Sequence, residues 1–177
     1  MSDNHPRTRR IFFALWPDDR VRQSLGRLAR RLPRRRGRPV PLANLHITLA
    51  FAGSVDPDTH DSLASCAAGI GTENYLLRLT RVGYFARARI LWVGADECPA
   101  ALTGLVHRLN EGLARCALNP AARPFRPHVT LMRDAAPLLA DIEVTPVEWR
   151  VGGFCLVESQ TDRDGARYTI LRRYGAP

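Results

Sequence analysis

A chain of 177 residues, 45% of them hydrophobic, is long enough for one good core or for two small lobes sharing an interface. Its formal net charge of +9, with arginine as the only basic residue besides histidine, suits a polyanionic partner, because the guanidinium fork grips phosphate with two hydrogen bonds. No apolar run approaches the roughly 20 residues of a membrane-spanning helix, and MSDNHPRTRR carries no apolar stretch behind its charges, so the expectation is a cytoplasmic protein, neither membrane-bound nor secreted.

In chain order, residues 1–9 read as a polar tail, and RIFFALW, Arg10 to Trp16, reads as a strand. WPDD then starts a helix: Pro17 suits a first turn, and Asp18 and Asp19 suit the positive end of the helix dipole. Val21, Leu25, Leu28 and Leu32 follow at helical spacing, with arginines on the other face. The arginine-rich segment from Arg30 to Arg38, broken by Pro33 and Gly37, reads as an exposed loop. After it, LHITLAF reads as a strand, Gly53 and Ser54 turn the chain, and Asp56-Pro57 opens a helix to about Gly69. NYLLRLTRVGYF and RARILWVGA alternate like strands across a short basic turn.

The second half begins with a helix from Pro99 to Leu118, whose Leu102, Leu105, Val106, Leu109 and Leu113 form one stripe. A loop with Asn119, Pro120 and Pro124 leads to the strand RPHVTLMR, and Pro137 to Ala140 forms one helical turn. EVTPVEWRV, GFCLVESQT and ARYTILRRY read as strands, the last two joined by a DRDG turn. Each half therefore holds helices, an antiparallel sheet and one His-x-Thr strand. No linker is long enough to separate them, so residues 1–177 are expected to form one unit of two lobes.

The two motifs carry the chemistry. Side chains alternate along a strand, so His46 and Thr48 share one face while Ile47 and Leu49 share the other; His128 and Thr130 repeat the arrangement against Val129 and Leu131. An imidazole with an ordinary pKa near 6.5 serves as base or acid at neutral pH, so a facing pair can take a proton from a nucleophile and give one to a leaving oxygen at phosphorus. The two threonine hydroxyls can hold the non-bridging phosphate oxygens.

Other residues carry less. Cys66, Cys98, Cys116 and Cys155 are widely spaced, with no C-x-x-C pair, and are read as reduced, mostly buried thiols. Neither motif has a second histidine, cysteine or carboxylate at ligand spacing, so no metal and no cofactor are expected. His5 falls in the tail, and His60 and His107 are read as surface residues of helices. Asp56 and Asp58 are read as a helix cap. A lone His-x-Thr would most simply be a satisfied core histidine; two copies favour an active site.

These residues resemble the two-histidine (2H) phosphoesterase superfamily, in its branch of RNA 2',3'-cyclic phosphodiesterases, also called 2'-5' RNA ligase-like or LigT-like proteins. RIFFALWP resembles the family's first strand, NLHITLAFAG its first motif, ILWVG its central strand, FRPHVTLMR its second motif, and LVESQTDRDGARYTILRRY its closing hairpin. Ala52 departs from the family's usual leucine, a change of packing rather than chemistry.

The resemblance implies an α+β fold of two pseudo-symmetric lobes, each an antiparallel sheet backed by helices, with the cleft between them. It also implies hydrolysis of RNA 2',3'-cyclic phosphate ends to 2'-phosphates, reversible as 2'-5' ligation, by a monomeric enzyme. On that pattern His46 gives a proton to the departing ribose oxygen, His128 activates water, and Thr48 and Thr130 contact phosphate. Arg133 also meets the phosphate, but its odd offset of five from His128 requires a bend after Leu131 or a reaching side chain. Phe51, Phe125 and Tyr84 are candidates for stacking on a base, with core packing the commoner role for each. The rival readings are another 2H activity on cyclic or 2'-5' linked nucleotides and a noncatalytic RNA-binding module.

Overall fold

The computed structural model describes residues 8–32, 37–120, 124–139, 142–163 and 165–175. Ten strands and three α-helices lie among them. The first strand, β1 (Arg9–Leu15), is apolar on both faces because it is covered on both. Ile11, Phe13 and Leu15 enter the main core, whereas Phe12 and Ala14 join a smaller cluster with Cys155 and Val157 on the opposite face.

The helices form close to where capping and periodicity place them, although Pro17 precedes the Asp18 cap and does not sit in the first turn. In α1 (Asp19–Arg31), Asp18 accepts a hydrogen bond from the Val21 N–H at 2.7 Å, and Val21, Leu25 and Leu28 are buried. In α2 (Pro57–Ala68), Asp56 accepts from the Thr59 N–H at 2.8 Å. The stripe of α3 (Ala100–Arg115) buries Leu102, Leu105, Val106, Leu109 and Leu113.

The remaining strands are β2 (Arg38–Pro39), β3 (Ile47–Val55), β4 (Tyr75–Leu79), β5 (Arg81–Phe85), β6 (Ile90–Gly94), β7 (His128–Arg133), β8 (Val147–Val151), β9 (Gly153–Asp162) and β10 (Gly165–Gly175). They form two four-stranded antiparallel sheets, ordered β10-β9-β1-β3 and β2-β7-β6-β5, and a two-stranded sheet β4-β8. Each large sheet holds one motif strand, and β3 and β7 contact each other where the sheets meet. The helices cross over: α1 leaves β1 yet packs on β7 and β8, and α3 leaves β6 yet packs on β3. Each motif strand is thus backed by the helix that follows a strand of the other sheet, which ties the two lobes together.

The α+β class and the paired lobes agree with expectation, but the lobes are not the two halves of the chain. The closing hairpin β9-β10 returns to pair with β1, so the first lobe takes two strands from each end of the sequence. The run from Asn74 to Phe85 is two strands rather than one. At Thr80 it leaves the β4-β8 sheet for the β5-β6 pair, where the Thr80 N–H donates to the Gly94 carbonyl.

Gly53 and Ser54 do not turn the chain. They continue β3 across a register shift, with Gly53 at φ 81°, a conformation glycine adopts without steric cost. Pro137 to Leu139 is not helical, and it follows Ala135, which is buried with its N–H donating to the Arg89 carbonyl at 2.8 Å; Ala140 lies outside the described residues. Only Val147–Val151 of EVTPVEWRV is strand, starting after Pro146, which has no N–H for a ladder.

Arg9 belongs to β1 rather than to the tail, whose residues 1–7 lie outside the described residues. Of the arginine-rich segment, Arg30 and Arg31 end α1, and Arg38 pairs opposite Arg133; residues 33–36 lie outside the described residues. Cys155 is buried, Cys66 and Cys116 are half-buried and Cys98 is exposed, so the cysteines are less buried than expected. No helix among the described residues is long and apolar enough to cross a membrane.

Candidate active site

The local backbone before each motif strand orients its histidine. His46 Nδ1 lies 2.7 Å from the Asn44 carbonyl oxygen, and His128 Nδ1 lies 2.7 Å from the Arg126 carbonyl oxygen. A carbonyl only accepts, so each Nδ1 carries the hydrogen, and each neutral ring keeps its lone pair on Nε2. His46 Nε2 is 3.1 Å from Thr48 Oγ1 and accepts its hydroxyl hydrogen. The same device, a carbonyl two residues before the histidine, thus operates in both lobes. On the first, a 3-10 turn at Leu42–Asn44 is fastened by the Asn44 side chain, which donates to the Ala166 carbonyl on β10 at 2.7 Å.

Aromatic rings surround both imidazoles. Trp16 stacks on His46, Phe12 lies tilted against it at 5.1 Å, and Tyr168 meets it edge-on at 5.0 Å between ring centroids. Across the cleft, Phe85 meets His128 edge-on at 5.1 Å, and Trp92 lies 6.2 Å away. Trp92 packs close over Gly83 and Gly94, where a Cβ would strike the indole, and Arg81 covers it at 5.6 Å from the ring centroid. The rings cover part of each imidazole and leave both histidines half-buried, and that burial lowers both pKa values.

For His46 the shift is large, from 6.5 to about 4: burial dominates, the Asn44 carbonyl opposes it, and the positive charges of Arg133 and His128 push further down. His128 is lowered by burial against the raising effect of the Arg126 carbonyl. Arg133 and His128 therefore act on His46 from the other motif strand, which brings these three sequence-predicted residues into one electrostatic site.

A β-bulge explains how Arg133 reaches the histidine face. Thr130 pairs opposite Trp92, but Met132 pairs opposite Leu91, so Leu131 is passed over. Leu131 and Met132 both enter the main core, and the alternation resumes one residue late, which returns Arg133 to the side of His128 and Thr130. The neighbouring Asp134 is held by Arg38, whose guanidinium reaches it at 2.6 and 2.8 Å.

The other candidates separate. Phe125 and Tyr84 are half-buried against the main core, with the Tyr84 hydroxyl donating to the Ala135 carbonyl, whereas Phe51 is exposed. His107 is exposed, as expected, and pairs with Glu111, whereas His60 is half-buried and pairs with Asp61. Among the described residues no group of three or more His, Cys, Asp or Glu side chains is disposed to hold a metal ion. Sequence reasoning missed Asn44, Phe12, Trp16, Tyr168, Phe85 and Trp92. Phe12 and Trp16 had one signal, their shared face in IFFALW on the strand that precedes the first motif.

A family model described as the 2'-5' RNA ligase superfamily matches residues 17–163. The chain belongs to this superfamily. Within it, the chain is 35% identical over 168 residues to a protein of Escherichia coli named RNA 2',3'-cyclic phosphodiesterase, covering 93% of this chain and 95% of that one. A protein of the same name from Thermus thermophilus is 32% identical, with 93% and 89% covered. The solved structure of E. coli LigT complexed with 3'-AMP superposes with a TM-score of 0.87 at 33% identity, covering 95% of this chain and 98% of that one. The double-motif cleft thus sits in a fold shared along almost the whole chain.

Proposed function

We propose that this protein hydrolyses RNA 2',3'-cyclic phosphate ends to 2'-phosphates by metal-independent acid–base catalysis. The observation that carries the reading is the matched pair of histidines, each held by a carbonyl on Nδ1 so that Nε2 is the proton-exchanging atom. His128 Nε2 takes a proton from water as the water oxygen bonds to phosphorus. The bond from phosphorus to O3' breaks, and His46 Nε2 supplies the proton that O3' takes up. Thr48 and Thr130 donate to the non-bridging oxygens, and Arg133 balances the phosphate charge.

His46 is neutral at pH 7 in the empty site, so its role as donor requires a proton gained with the substrate. The phosphodiester anion supplies the reason, since it favours imidazolium and offsets Arg133. The same groups run backwards would join a 2'-phosphate end to a 5'-hydroxyl end. The names of the relatives support an RNA substrate, and the fork geometry of the arginines suits it.

The test is turnover of a short RNA with a 2',3'-cyclic end, in strong chelator, by the wild type and by His46→Ala and His128→Ala. Turnover is expected in chelator, with a loss of about a hundredfold or more in each variant, the usual contribution of one general acid or base. Near-normal rates in either variant, or rescue of a chelated enzyme by a divalent ion, would overturn the mechanism.

A further inference from the structure

The two motif strands carry the same bulge. On β3, Thr48 pairs opposite Ala14 and Ala50 opposite Phe13, with Leu49 passed over; on β7, Thr130 pairs opposite Trp92 and Met132 opposite Leu91, with Leu131 passed over. Two consecutive residues then face the core in each lobe, Leu49 with Ala50 and Leu131 with Met132. The fifth residue after each histidine consequently returns to the cleft face. In one lobe that residue is Arg133, and in the other it is Phe51.

Phe51 pairs directly opposite Phe12, and their rings lie 5.9 Å apart; Phe12 in turn lies 5.1 Å from His46. One ring therefore separates Phe51 from the histidine. Yet Phe51 is 55% exposed, the one aromatic among the large hydrophobic side chains left exposed in the described residues. The bulges make the site symmetric in backbone and asymmetric in chemistry: the same position offers a cation on one side and a bare flat ring on the other.

A substrate suited to both sides has a charged phosphate and, within one nucleotide's reach, an apolar planar group. We propose that Phe51 is the platform on which the nucleobase of the terminal nucleotide stacks, opposite the lobe whose Arg133 meets the phosphate. The platform reads a π-face and so takes any of the four bases. This specificity rests on the proposed phosphodiesterase activity, and it adds a subsite that the two histidines do not require.

The test compares kcat/KM on a nucleoside 2',3'-cyclic phosphate with that on ribose 2',3'-cyclic phosphate, which lacks the base, in the wild type, Phe51→Ala and Phe51→Trp. Phe51→Ala should cut the preference for the base-bearing substrate about tenfold, as removal of one stacking ring does, and Phe51→Trp should restore it. Equal losses on the two substrates, or an unaltered preference, would overturn the platform. A second readout does not depend on turnover: the Phe51 ring resonances should shift on titration with adenosine 2'-monophosphate and not with ribose phosphate. A wild type that turns over neither substrate would refute the phosphodiesterase reading, while the titration would still decide the platform: a nucleotide-specific shift supports it, and no such shift overturns it.

Discussion

Trp16 lies flat on the His46 imidazole, with ring centroids 5.4 Å apart and planes 6° from parallel. A ring face so placed attracts a cation by about 0.5 to 2 kcal/mol, which would favour the protonated imidazole. Lowering a pKa from 6.5 to about 4 corresponds to roughly 3 kcal/mol in the other direction. Burial, aided by the charges of Arg133 and His128, therefore outweighs the attraction of the ring. Trp16→Ala should admit water and move the His46 midpoint upward toward 6.5, read by NMR titration of its ring protons. An unmoved midpoint would assign the burial to Phe12 and Tyr168 alone.

The same shifts fix the pH dependence of catalysis. On the proposed mechanism kcat/KM follows the fraction of free enzyme with His46 protonated and His128 neutral, yet both pKa values lie below the ordinary 6.5. The profile of kcat/KM should therefore be a bell with both limbs at or below about pH 6.5, falling about tenfold per unit above the upper limb. The upper limb of kcat should lie higher, because bound phosphate stabilises the imidazolium. Limbs of kcat/KM above pH 7 would contradict a neutral histidine pair in the empty site. Stability has its own sign: a histidine whose folded pKa is depressed loses stability as pH falls from 6.5 toward 4, and contributes no pH dependence above that window.

The motifs were legible because strand alternation is local: His46, Thr48, His128 and Thr130 needed only a two-residue period. The residues beyond each threonine were not legible in this way. The doublets Leu49-Ala50 and Leu131-Met132 break that period, and two adjacent apolar residues are read equally as a bulge or as a strand covered on both faces. Resolving them needs the partner strand, whose register fixes where Phe51 and Arg133 point. The return of β9 and β10 to β1 is likewise a long-range pairing that no local pattern announces. The aromatic walls were hidden for the opposite reason: β1 is apolar from Ile11 to Leu15, so its cleft face looks like its core face there.

Arg133 is placed by the bulge and is not neutralised by Asp134, which Arg38 holds. Arg133→Ala should lower kcat/KM on a cyclic phosphate substrate by tenfold or more, as loss of a charge-assisted bond to phosphate implies. Arg133→Lys should recover only part, since an ammonium cannot reproduce the two-point grip. The alanine variant should also raise the His46 midpoint, because Arg133 is one of the charges that depress it. Full activity with an unmoved midpoint would place Arg133 outside the site.

The product should carry its phosphate on the 2' oxygen. Two histidines on facing lobes specify an acid and a base on opposite sides of phosphorus, and the pairing with the ribose oxygens depends on which of them lies beside the acid. With His46 beside O3', protonation there releases the 3' hydroxyl while water activated by His128 enters from the other side, so the 2' ester survives. Phosphorus NMR of the hydrolysed end, compared with authentic 2' and 3' monoesters, reads the outcome directly. A 3'-phosphate would keep the paired-histidine chemistry, put O2' beside His46 and turn the ribose over in the cleft. Phe51 then tells the two poses apart: were the ribose reversed, the base would leave β3, and Phe51→Ala would no longer separate base-bearing from baseless substrate.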